Sequence, residues 1–313
     1  MKTLDFGRRG LGICVAAAML AGCGGSLPAI GGAPGVIPQK ANELPPDRGA
    51  TRSTLLYVSD SGAGTVTFYS YPELKTQGTL TGLQGPLGLC IDPSTQDVWV
   101  VDANARELFE FEHGGRTPIR ELPINAYYPE LVSCAVNPKN GDLAVVSDLF
   151  GSDPGALMIF KDGSGTQTDY QSSKIFYYDF VTYDKSGNAF IDGYGDRFQL
   201  AELPYGATRL HDVTPKGLRL PNRGAVQSDG SQLALGTETR GLIYQIADRK
   251  VTGKTHLRNA CRVSQFLVDG DRVATPNACD GSGSVSIYNY PAGGAPLKVL
   301  TGLRSPFAAV ISR

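Results

Sequence analysis

The two ends of this 313-residue chain carry the same pattern of residues. Residues 66–72 and 285–291 both read V-x-x-Y-x-Y-P, and Leu-Thr-Gly-Leu follows at 80–83 and again at 300–303. The offset between the copies is 219–220 residues. Self-similarity of this kind indicates a structure built from one repeated supersecondary unit, and few other features constrain a fold so strongly.

The same unit recurs between the two ends. Each copy holds an apolar strand, a turn rich in Asp, Asn, Gly and Ser, a second apolar strand, and then a third. The residues expected to close the second strands are Asp60, Asp102, Asp148, Asp192, Thr237 and Asn277. Their spacings of 42, 46, 44, 45 and 40 residues each accommodate four short strands. The sequence therefore predicts an all-β fold, a six-bladed β-propeller over residues 54–313.

The first copy of the unit is incomplete. Residues 55–71 lack the strand that opens the other copies, whereas 305–312 (SPFAAVIS) has the character of such a strand. We expect the C-terminal strand to complete blade 1, because this closure pairs both chain ends in one sheet and leaves no open seam.

The unit resembles NHL-repeat propellers, whose pattern is P-x-G-I-A-V-D, a turn, I-Y-V-A-D, then N-x-R and an aromatic strand. Blade 2 carries the resemblance at Pro86, Gly88, Leu89, Asp92, Val98, Val100, Asp102, Asn104, Arg106 and Phe111. The resemblance implies the fold for residues 54–313. It does not imply a function, because unrelated activities share this architecture.

The repeated aspartates have two interpretations. A ring of carboxylates would suit a metal ion, but a carboxylate at the end of a strand can also accept backbone N–H bonds in the following turn. Because the same turn recurs in every blade, we expect the structural role and no metal site here.

The N-terminus has the features of a lipoprotein export signal. Lys2, Arg8 and Arg9 precede an apolar run at 11–20, which is shorter than the roughly 20 residues that span a bilayer. The run ends in Leu-Ala-Gly-Cys, so we expect removal of residues 1–22 and acylation of Cys23; an ordinary cleavage site is the alternative. Gly24 favours the outer membrane if the cell has one, and Arg8-Arg9 leaves the Sec or twin-arginine export route open.

Residues 23–53 are rich in Gly and Pro and show no apolar period, so we expect a tether between Cys23 and the propeller. The partner of Cys23 is then the lipid bilayer. The chain has 29 basic and 30 acidic residues, a balance that argues against nucleic-acid binding. Its three histidines are far apart in sequence, which argues against a histidine-based metal or hydrolase site.

Four cysteines lie in the expected propeller, and an even number in an exported protein suggests disulfides. Cys261 precedes the first strand of blade 6 and Cys279 follows the second, so a bridge between them is predicted. Cys90 and Cys134 lie in the innermost strands of blades 2 and 3, one residue out of phase. This shift turns them toward opposite faces, so a bridge between the blades is predicted, with two buried thiols as the alternative.

Ligands of propellers usually lie at one mouth of the central channel. Aromatic and arginine side chains gather there in the loops around the first and second strands, where they suit stacking on a sugar or clamping a peptide. The alternative is packing at the rim. The candidates are Tyr127, Tyr128, Tyr177, Tyr178, Tyr194, Arg223 and Arg262.

An enzymatic alternative is a calcium-dependent lactonase of the gluconolactonase kind, to which 221–230 is similar. That resemblance would make Asn222 and Glu130 oxygen ligands of calcium, although Arg223 departs from the motif and further ligands have no clear match. We expect no other cofactor and no catalytic residue. The function favoured by the sequence is a membrane-anchored extracytoplasmic propeller that binds or scaffolds an envelope protein, peptide or glycan.

Overall fold

The computed structural model describes residues 53–124, 130–148, 153–218, 220, 224–229, 232–237, 241–279 and 282–313, with no description of the Cys279 side chain. All of them belong to one unit, Thr51–Arg313. The only helix among them is the short 3-10 turn Lys161–Gly163. No helix in these ranges has the length and apolar character needed to cross a membrane.

Six four-stranded antiparallel sheets make up the unit, which confirms the all-β, six-bladed prediction. From inside to outside, blade 1 consists of Pro306–Ser312, Leu55–Asp60, Thr65–Ser70 and Thr76–Leu80; blade 2 of Pro86–Ile91, Val98–Asp102, Glu107–Phe111 and Pro118–Pro123; and blade 3 of Leu131–Val136, Leu143–Ser147, Ala156–Phe160 and Gln167–Tyr170. Blade 4 consists of Tyr177–Tyr183, Ala189–Tyr194, Phe198–Leu203 and His211–Asp212; blade 5 of Val226–Ser228, Leu233–Gly236, Leu242–Ala247 and Lys250–His256; and blade 6 of Leu267–Asp269, Arg272–Cys279, Ser282–Asn289 and Gly293–Leu303.

The C-terminal strand closes the ring as predicted. Pro306–Ser312 pairs antiparallel with Leu55–Asp60 and becomes the inner strand of blade 1. The seam is reinforced where Ser312 donates to the carbonyl of Gln96 in blade 2 at 2.6 Å. Both ends of the propeller are therefore held in one sheet, with no unpaired edge at the closure.

Apolar clusters lie between the blades rather than in one central core. Trp99 and Leu108 of blade 2 pack with Leu143 and Met158 of blade 3, for example, and all four are buried. Alternate residues of a strand point to opposite faces, so each blade can bury both faces against its two neighbours. This arrangement explains why second strands such as Val98–Asp102 and Leu143–Ser147 are nearly continuous in apolar residues.

Two of the recurring aspartates, Asp60 and Asp102, hold the main chain, and their contacts extend beyond the predicted turn. Both oxygens of Asp102 accept backbone N–H bonds, from Gln84 and Gly85 at 2.7 and 2.8 Å. Asp60 accepts from Arg304 and Ser305 at 2.8 Å in the same way. These donors precede the inner strand of the same blade. The following turn, which was expected to supply the donors, adds the Ala105 N–H to Asp102 at 3.3 Å. The end of a second strand lies beside the start of its antiparallel partner, so the carboxylate reaches the loop that enters the blade.

A disulfide joins Cys90 to Cys134, with 5.6 Å between the Cα atoms, and confirms the predicted link between blades 2 and 3. Its half-cystines lie on the inner strands, and both are buried. Cys261 is also disulfide-bonded. The side chain of Cys279 lies outside the described residues, so the Cys261–Cys279 pairing stays a prediction.

Candidate functional site

A cavity of about 120 Å³ opens where the inner strands begin, an end of the ring called the mouth below. Five blades contribute to its wall, and five blades can meet only around the central axis. The lining residues are Val132, Asp179, Phe180, Gly224, Arg262, Val263, Ser264, Ser305, Pro306 and Phe307. The axial position agrees with the predicted location of a ligand site.

Irregular strand pairing aims several of these side chains at the axis. At the mouth end of blades 1 to 4, each inner strand has one residue more than the second strand beside it. Val132 is the extra residue in blade 3 and Asp179 in blade 4, while Phe307 lies within the bulge of blade 1. A β-bulge re-aims a side chain that regular alternation would direct into the sheet packing. The bulges thus place two apolar side chains and one carboxylate on the cavity wall.

Charge in the cavity comes from two of its lining residues, Asp179 and Arg262. Asp179 is 1 % exposed, whereas Arg262 is an exposed residue on the loop that enters blade 6. A carboxylate and a guanidinium therefore face one small space at different depths. The cavity therefore has a charged lining as well as an apolar one.

The remaining wall is partly apolar and partly hydroxylic. The rings of Phe180 and Phe307 stack with centroids 5.8 Å apart and an angle of 21° between their planes. Ser264 is buried, and its Oγ has no hydrogen-bond partner among the described residues. A buried hydroxyl without a partner carries a cost of about 1–3 kcal/mol, which a polar ligand atom would relieve.

Gln265 forms a crosslink directly behind the cavity wall. Its buried side-chain amide donates to the carbonyl of Leu89 and accepts from the Leu89 N–H, so it satisfies the main chain of blade 2 from blade 6. The backbone of Gln265 also bonds to Phe307 and Ala309 in blade 1. The inner strands of blades 1 and 2 are thereby crosslinked to the segment that precedes the inner strand of blade 6, next to Ser264, which gives the cavity a fixed wall.

The predicted aromatic cluster at blade 4 is divided by the structure. Tyr178 is fully buried between blades 3 and 4, and its hydroxyl accepts the Ser172 N–H at 2.6 Å. Burial raises the pKa of Tyr178 to about 12, with a smaller opposing effect of this hydrogen bond. As a ligand-binding residue Tyr178 is therefore corrected to a packing residue, because no face of its ring is open to a ligand.

Tyr194 and Tyr177 are both half-buried. The Tyr194 hydroxyl donates to the Leu220 carbonyl at 3.0 Å, and its ring meets Phe198 edge-on. Tyr177 pairs with Tyr194 at the outermost position of the two strands. Neither residue lines the axial cavity. These two tyrosines remain candidates only for the rim around the mouth.

Of the other predicted site residues, Arg262 lines the cavity. Tyr127, Tyr128, Arg223 and Asn222 lie outside the described residues. Glu130 is exposed on the segment entering blade 3, where its carbonyl accepts the Asp148 N–H. The residues that the sequence did not single out are Asp179, Phe307 and Ser264, since their positions depend on bulges and on the ring closure.

The described residues do not form a donor set suited to calcium. Calcium takes six to eight oxygen ligands, several of them usually carboxylates. Among the described lining residues, Asp179 supplies the one carboxylate and Arg262 a positive charge, and Glu130 is not one of them. In the described ranges no three His, Cys, Asp or Glu side chains come together as a metal centre.

A larger cleft of about 300 Å³ lies between blades 4 and 5, at the opposite end from the mouth. Its lining residues are Asp184, Phe190, Leu200, Glu202, Val213, Ser228, Gln232, Leu233, Ile246, Ala247, Asp248 and Arg249. The Asp184 carboxylate is already used within its own turn, where it accepts from Ser186 and Asn188. The mouth is the better candidate despite its smaller volume. Of the two, only the mouth has a buried carboxylate, that of Asp179, together with a buried hydroxyl, Ser264 Oγ, that has no hydrogen-bond partner among the described residues.

Comparison with known proteins supports the fold. No protein-family model matches the chain, and no curated protein matches it. Among solved structures, a chain from the crystal structure of a nidogen/laminin complex has a TM-score of 0.68 at 13% identity, covering 83% of this chain and 98% of that one. A protein of unknown function from Bacteroides caccae has a TM-score of 0.64 at 10% identity, covering 83% and 99%. At these identities the likeness shows the fold alone: the chain is similar to these proteins as a six-bladed β-propeller.

Proposed function

We propose that this chain is an extracytoplasmic binding module whose propeller takes its ligand at the mouth and whose acylated Cys23 holds it to a membrane. The observation that carries the proposal is the axial cavity, whose wall combines Asp179 of blade 4 with Arg262 and Ser264 of the loop that enters blade 6. Packing alone would fill this position with apolar side chains. A mixed polar lining at the axis favours a ligand site instead.

Export is supported by the N-terminal signal together with the disulfides. Cys90 and Cys134 form one bridge, and Cys261 is part of a disulfide as well. Structural disulfides are typical of oxidising compartments and rare in the cytosol of most organisms. Removal of residues 1–22, a tether over 23–53 and a kinship with NHL-repeat propellers belong to the same proposal.

Binding or scaffolding is a role that a rigid propeller suits. The fold also occurs in a protein crystallised as part of a nidogen/laminin complex, so it is compatible with a protein partner. For this chain an envelope protein, a peptide or a glycan fits the mouth, and nucleic acid does not fit the balanced charge. Lactonase activity is not part of the proposal.

The test of binding uses the full-length lipoprotein in detergent. Wild type, Arg262→Gln and Arg209→Ala are incubated with envelope extract, and the captured molecules are compared by mass spectrometry. Arg209 is an exposed arginine outside the cavity, so its variant is the matched control. We expect capture by wild type and the control, and loss in Arg262→Gln. Identical captured sets from all three proteins would refute a site at the mouth.

The test of anchoring is independent. Metabolic labelling with a radioactive fatty acid should label the wild type and not Cys23→Ser, and inhibition of signal peptidase II should leave residues 1–22 attached. An unlabelled wild-type protein would refute the lipid anchor without affecting the mouth site.

A further inference from the structure

The junction between blades 2 and 3 shows how this propeller holds a guanidinium of its own. Arg120, on the outer strand of blade 2, forms an ion pair with Glu110 of the third strand, with 3.2 Å between Nε and Oε2. Its guanidinium lies over the ring of Trp99 on the second strand, 5.5 Å from the ring centroid. Its Nη1 also donates to the carbonyls of Asp162 and Gly163 in blade 3, at 3.2 and 3.1 Å. A carboxylate, an aromatic ring and a turn of the next blade thus hold one cation.

This cation stabilises a carboxylate that is removed from water. Glu110 is 4 % exposed. Burial raises the pKa of the Glu110 carboxyl, and the charge of Arg120 opposes this rise. A carboxylate between two blades is costly unless a cation accompanies it. The arginine and the acid therefore act as one unit at this junction.

Blade 4 has an acid and an aromatic ring at the equivalent positions. Glu202 of its third strand and Phe190 of its second strand are cross-strand partners. Glu110 and Trp99 are paired in the same way in blade 2. Both pairs face the next blade, since Trp99 belongs to the cluster shared with blade 3 and Phe190 packs against the cluster shared with blade 5. Two of the three elements that hold the guanidinium in blade 2 therefore recur in blade 4.

The turn of the next blade has a counterpart too. In blade 3, Asp162 and Gly163 are successive residues with left-handed φ values of 51° and 58°. In blade 5, Asp248 and Arg249 have φ values of 51° and 59° in the turn between the third and outer strands. Both residues of this second turn line the cleft between blades 4 and 5. All three elements thus meet around one space.

None of the described residues of blade 4 supplies a cation to this space. The outer strand is only His211–Asp212, and His211 is paired with Glu202 where blade 2 has Arg120. His211 is exposed and is not among the residues that line the cleft. Across the described ranges Glu202 has no hydrogen bond and no ion pair. The cleft of about 300 Å³ therefore lies at the position that a guanidinium fills in blade 2.

The charges on the cleft wall favour a cation. Asp184, Glu202 and Asp248 are acidic, whereas Arg249 is the one base among the described lining residues. Arg249 is exposed, and no ion pair joins it to Glu202 in the part of the chain that the structure describes. One guanidinium cannot compensate three carboxylates, so the wall attracts further positive charge.

The floor of the cleft suits the stem of such a group. Leu200, Leu233 and Ile246 line it, and all three are buried. Methylene groups pack along an apolar surface of this kind while the charged end of the side chain stays at the polar edge. The volume is at the lower end of the range for ligand pockets, which leaves room for a stem and a planar head group.

We infer that the cleft between blades 4 and 5 binds a guanidinium group on a short apolar stem, held by Glu202 and the ring of Phe190. The group comes from a second molecule and takes the place that Arg120 has in blade 2. An arginine residue of a peptide and a small free guanidine present the same chemistry. The site is separate from the mouth and does not depend on the function proposed for it.

The experiment is a calorimetric titration of the full-length protein in non-ionic detergent at low ionic strength. The probe is ethylguanidinium. Ethylurea has nearly the same shape without the charge, and ethylammonium has the charge without the planar head group, so these two are the controls. We expect ethylguanidinium to bind about fivefold more tightly than either control. Equal binding of either control would overturn the assignment.

Substitutions in the cleft assign the recognition to the named residues. Glu202→Gln should weaken ethylguanidinium by about fivefold and Phe190→Leu by about threefold. Glu73→Gln, at an exposed position in blade 1, is the matched control and should leave binding unchanged. Circular dichroism checks that each variant is folded. Binding to Glu202→Gln as tight as to the wild type would show that the cleft is not the site.

A further variant places an arginine from the chain itself in the cleft. His211→Arg gives Glu202 the cross-strand partner that Glu110 has. The introduced side chain should occupy the cleft, weaken ethylguanidinium by about fivefold and raise the unfolding temperature by about 2 °C. His211→Gln is the control and should do neither. Undiminished binding to His211→Arg would overturn the inference, because the equivalence of blades 2 and 4 would then not hold.

The source of the guanidinium is distinguished by N-acetyl-L-argininamide. Tighter binding than that of ethylguanidinium would assign the cleft to an arginine residue of a peptide, since the flanking amides add contacts. Weaker binding would assign it to a small free guanidine. Both results support the site, and failure of both compounds to bind overturns it without affecting the mouth.

Discussion

Asp102 of blade 2 and Asp179 of blade 4 both lie near the mouth, and the two aspartates have different roles. Asp102 in blade 2 is saturated by main-chain N–H groups of Gln84 and Gly85, with a third contact from Ala105 at 3.3 Å. Asp179 in blade 4 sits on a bulge and lines the cavity. One carboxylate holds a loop, and the other faces the space where a ligand would bind.

The crosslinks between blades show the same contrast between a structural role in blade 2 and the cavity at the mouth. Blade 2 is joined to blade 3 by the Cys90–Cys134 disulfide, and its Leu89 main chain is held by Gln265 of blade 6. The described residues of the cavity wall instead come from blades 3 to 6 and blade 1, and none of them belongs to blade 2. The comparison teaches that repeated positions carry the stability of the ring, whereas positions that break the repeat carry its candidate chemistry.

Removing the disulfide should give the largest effect on the free energy of unfolding. The double variant Cys90→Ala/Cys134→Ala loses a crosslink that encloses 44 residues, so the free energy of unfolding should fall by about 4 kcal/mol. Urea unfolding followed by tryptophan fluorescence measures it, because the single Trp99 packs between the two linked blades. Capture at the mouth should persist where the variant is folded. A loss below about 1 kcal/mol would mean that the other crosslinks suffice to hold blade 2.

The aspartate comparison is tested directly by substituting both residues. Asp102→Ala leaves buried main-chain N–H groups without their acceptor and should lower the free energy of unfolding by about 3 kcal/mol. Asp179→Asn should change it by less than about 1 kcal/mol while removing ligand capture. Asp196→Ala, at an exposed position, is the control. Equal destabilisation by the two substitutions would show that Asp179 is also a structural residue.

The sequence predicted the ring, its closure and the disulfide between blades 2 and 3 because these depend on what recurs. Pro306–Ser312 could be identified as a missing inner strand since the other copies of the unit have one. The phases of Cys90 and Cys134 could be compared since their strands are equivalent. Repetition fixes the register of the copies, and register determines which face a side chain occupies.

The cavity could not be predicted in the same way. Asp179 follows Tyr177 and Tyr178, and regular alternation would place Asp179 with Tyr177 on one face. The bulge between Tyr178 and Phe180 removes it from that register. A bulge adds one residue without a strong sequence signal, so the aromatic pair drew attention and the acid beside it did not. Ser264 and Phe307 become neighbours only when the last blade meets the first.

Substitution of Tyr178 tests the packing between blades 3 and 4, and we expect a smaller effect on the free energy of unfolding. Tyr178→Phe leaves the Ser172 N–H without its acceptor and should cost about 1 kcal/mol at neutral pH, measured by urea unfolding. Tyr205→Phe, at a position 46 % exposed, is the matched control and should cost much less. A variant as stable as the control would show that the hydrogen bond from Ser172 does not contribute to stability.

Alkaline pH gives the same residue a second test. Its pKa is about 12 in the fold against the ordinary value of 10, so its neutral form is favoured by folding. This contribution is fully present below pH 10 and is lost as the pH rises from 10 to 12, up to about 2 kcal/mol. The stability of Tyr178→Phe should therefore fall less steeply over that range than that of the wild type or Tyr205→Phe. Parallel curves would show that Tyr178 titrates as an exposed tyrosine.

Calcium should produce the smallest change in the unfolding temperature. The result tests whether Asp102 or Asp179 can bind a cation. The Asp102 carboxylate is occupied by main-chain donors, and Asp179 shares its cavity with the positive charge of Arg262. Neither arrangement attracts a hard divalent cation, so millimolar calcium should move the unfolding temperature by less than about 1 °C, and chelation should have no effect. A clear rise in the unfolding temperature that Asp179→Asn abolishes would instead show that the mouth is a cation site. The guanidinium of Arg262 would then have to lie too far from the Asp179 carboxylate to repel the ion.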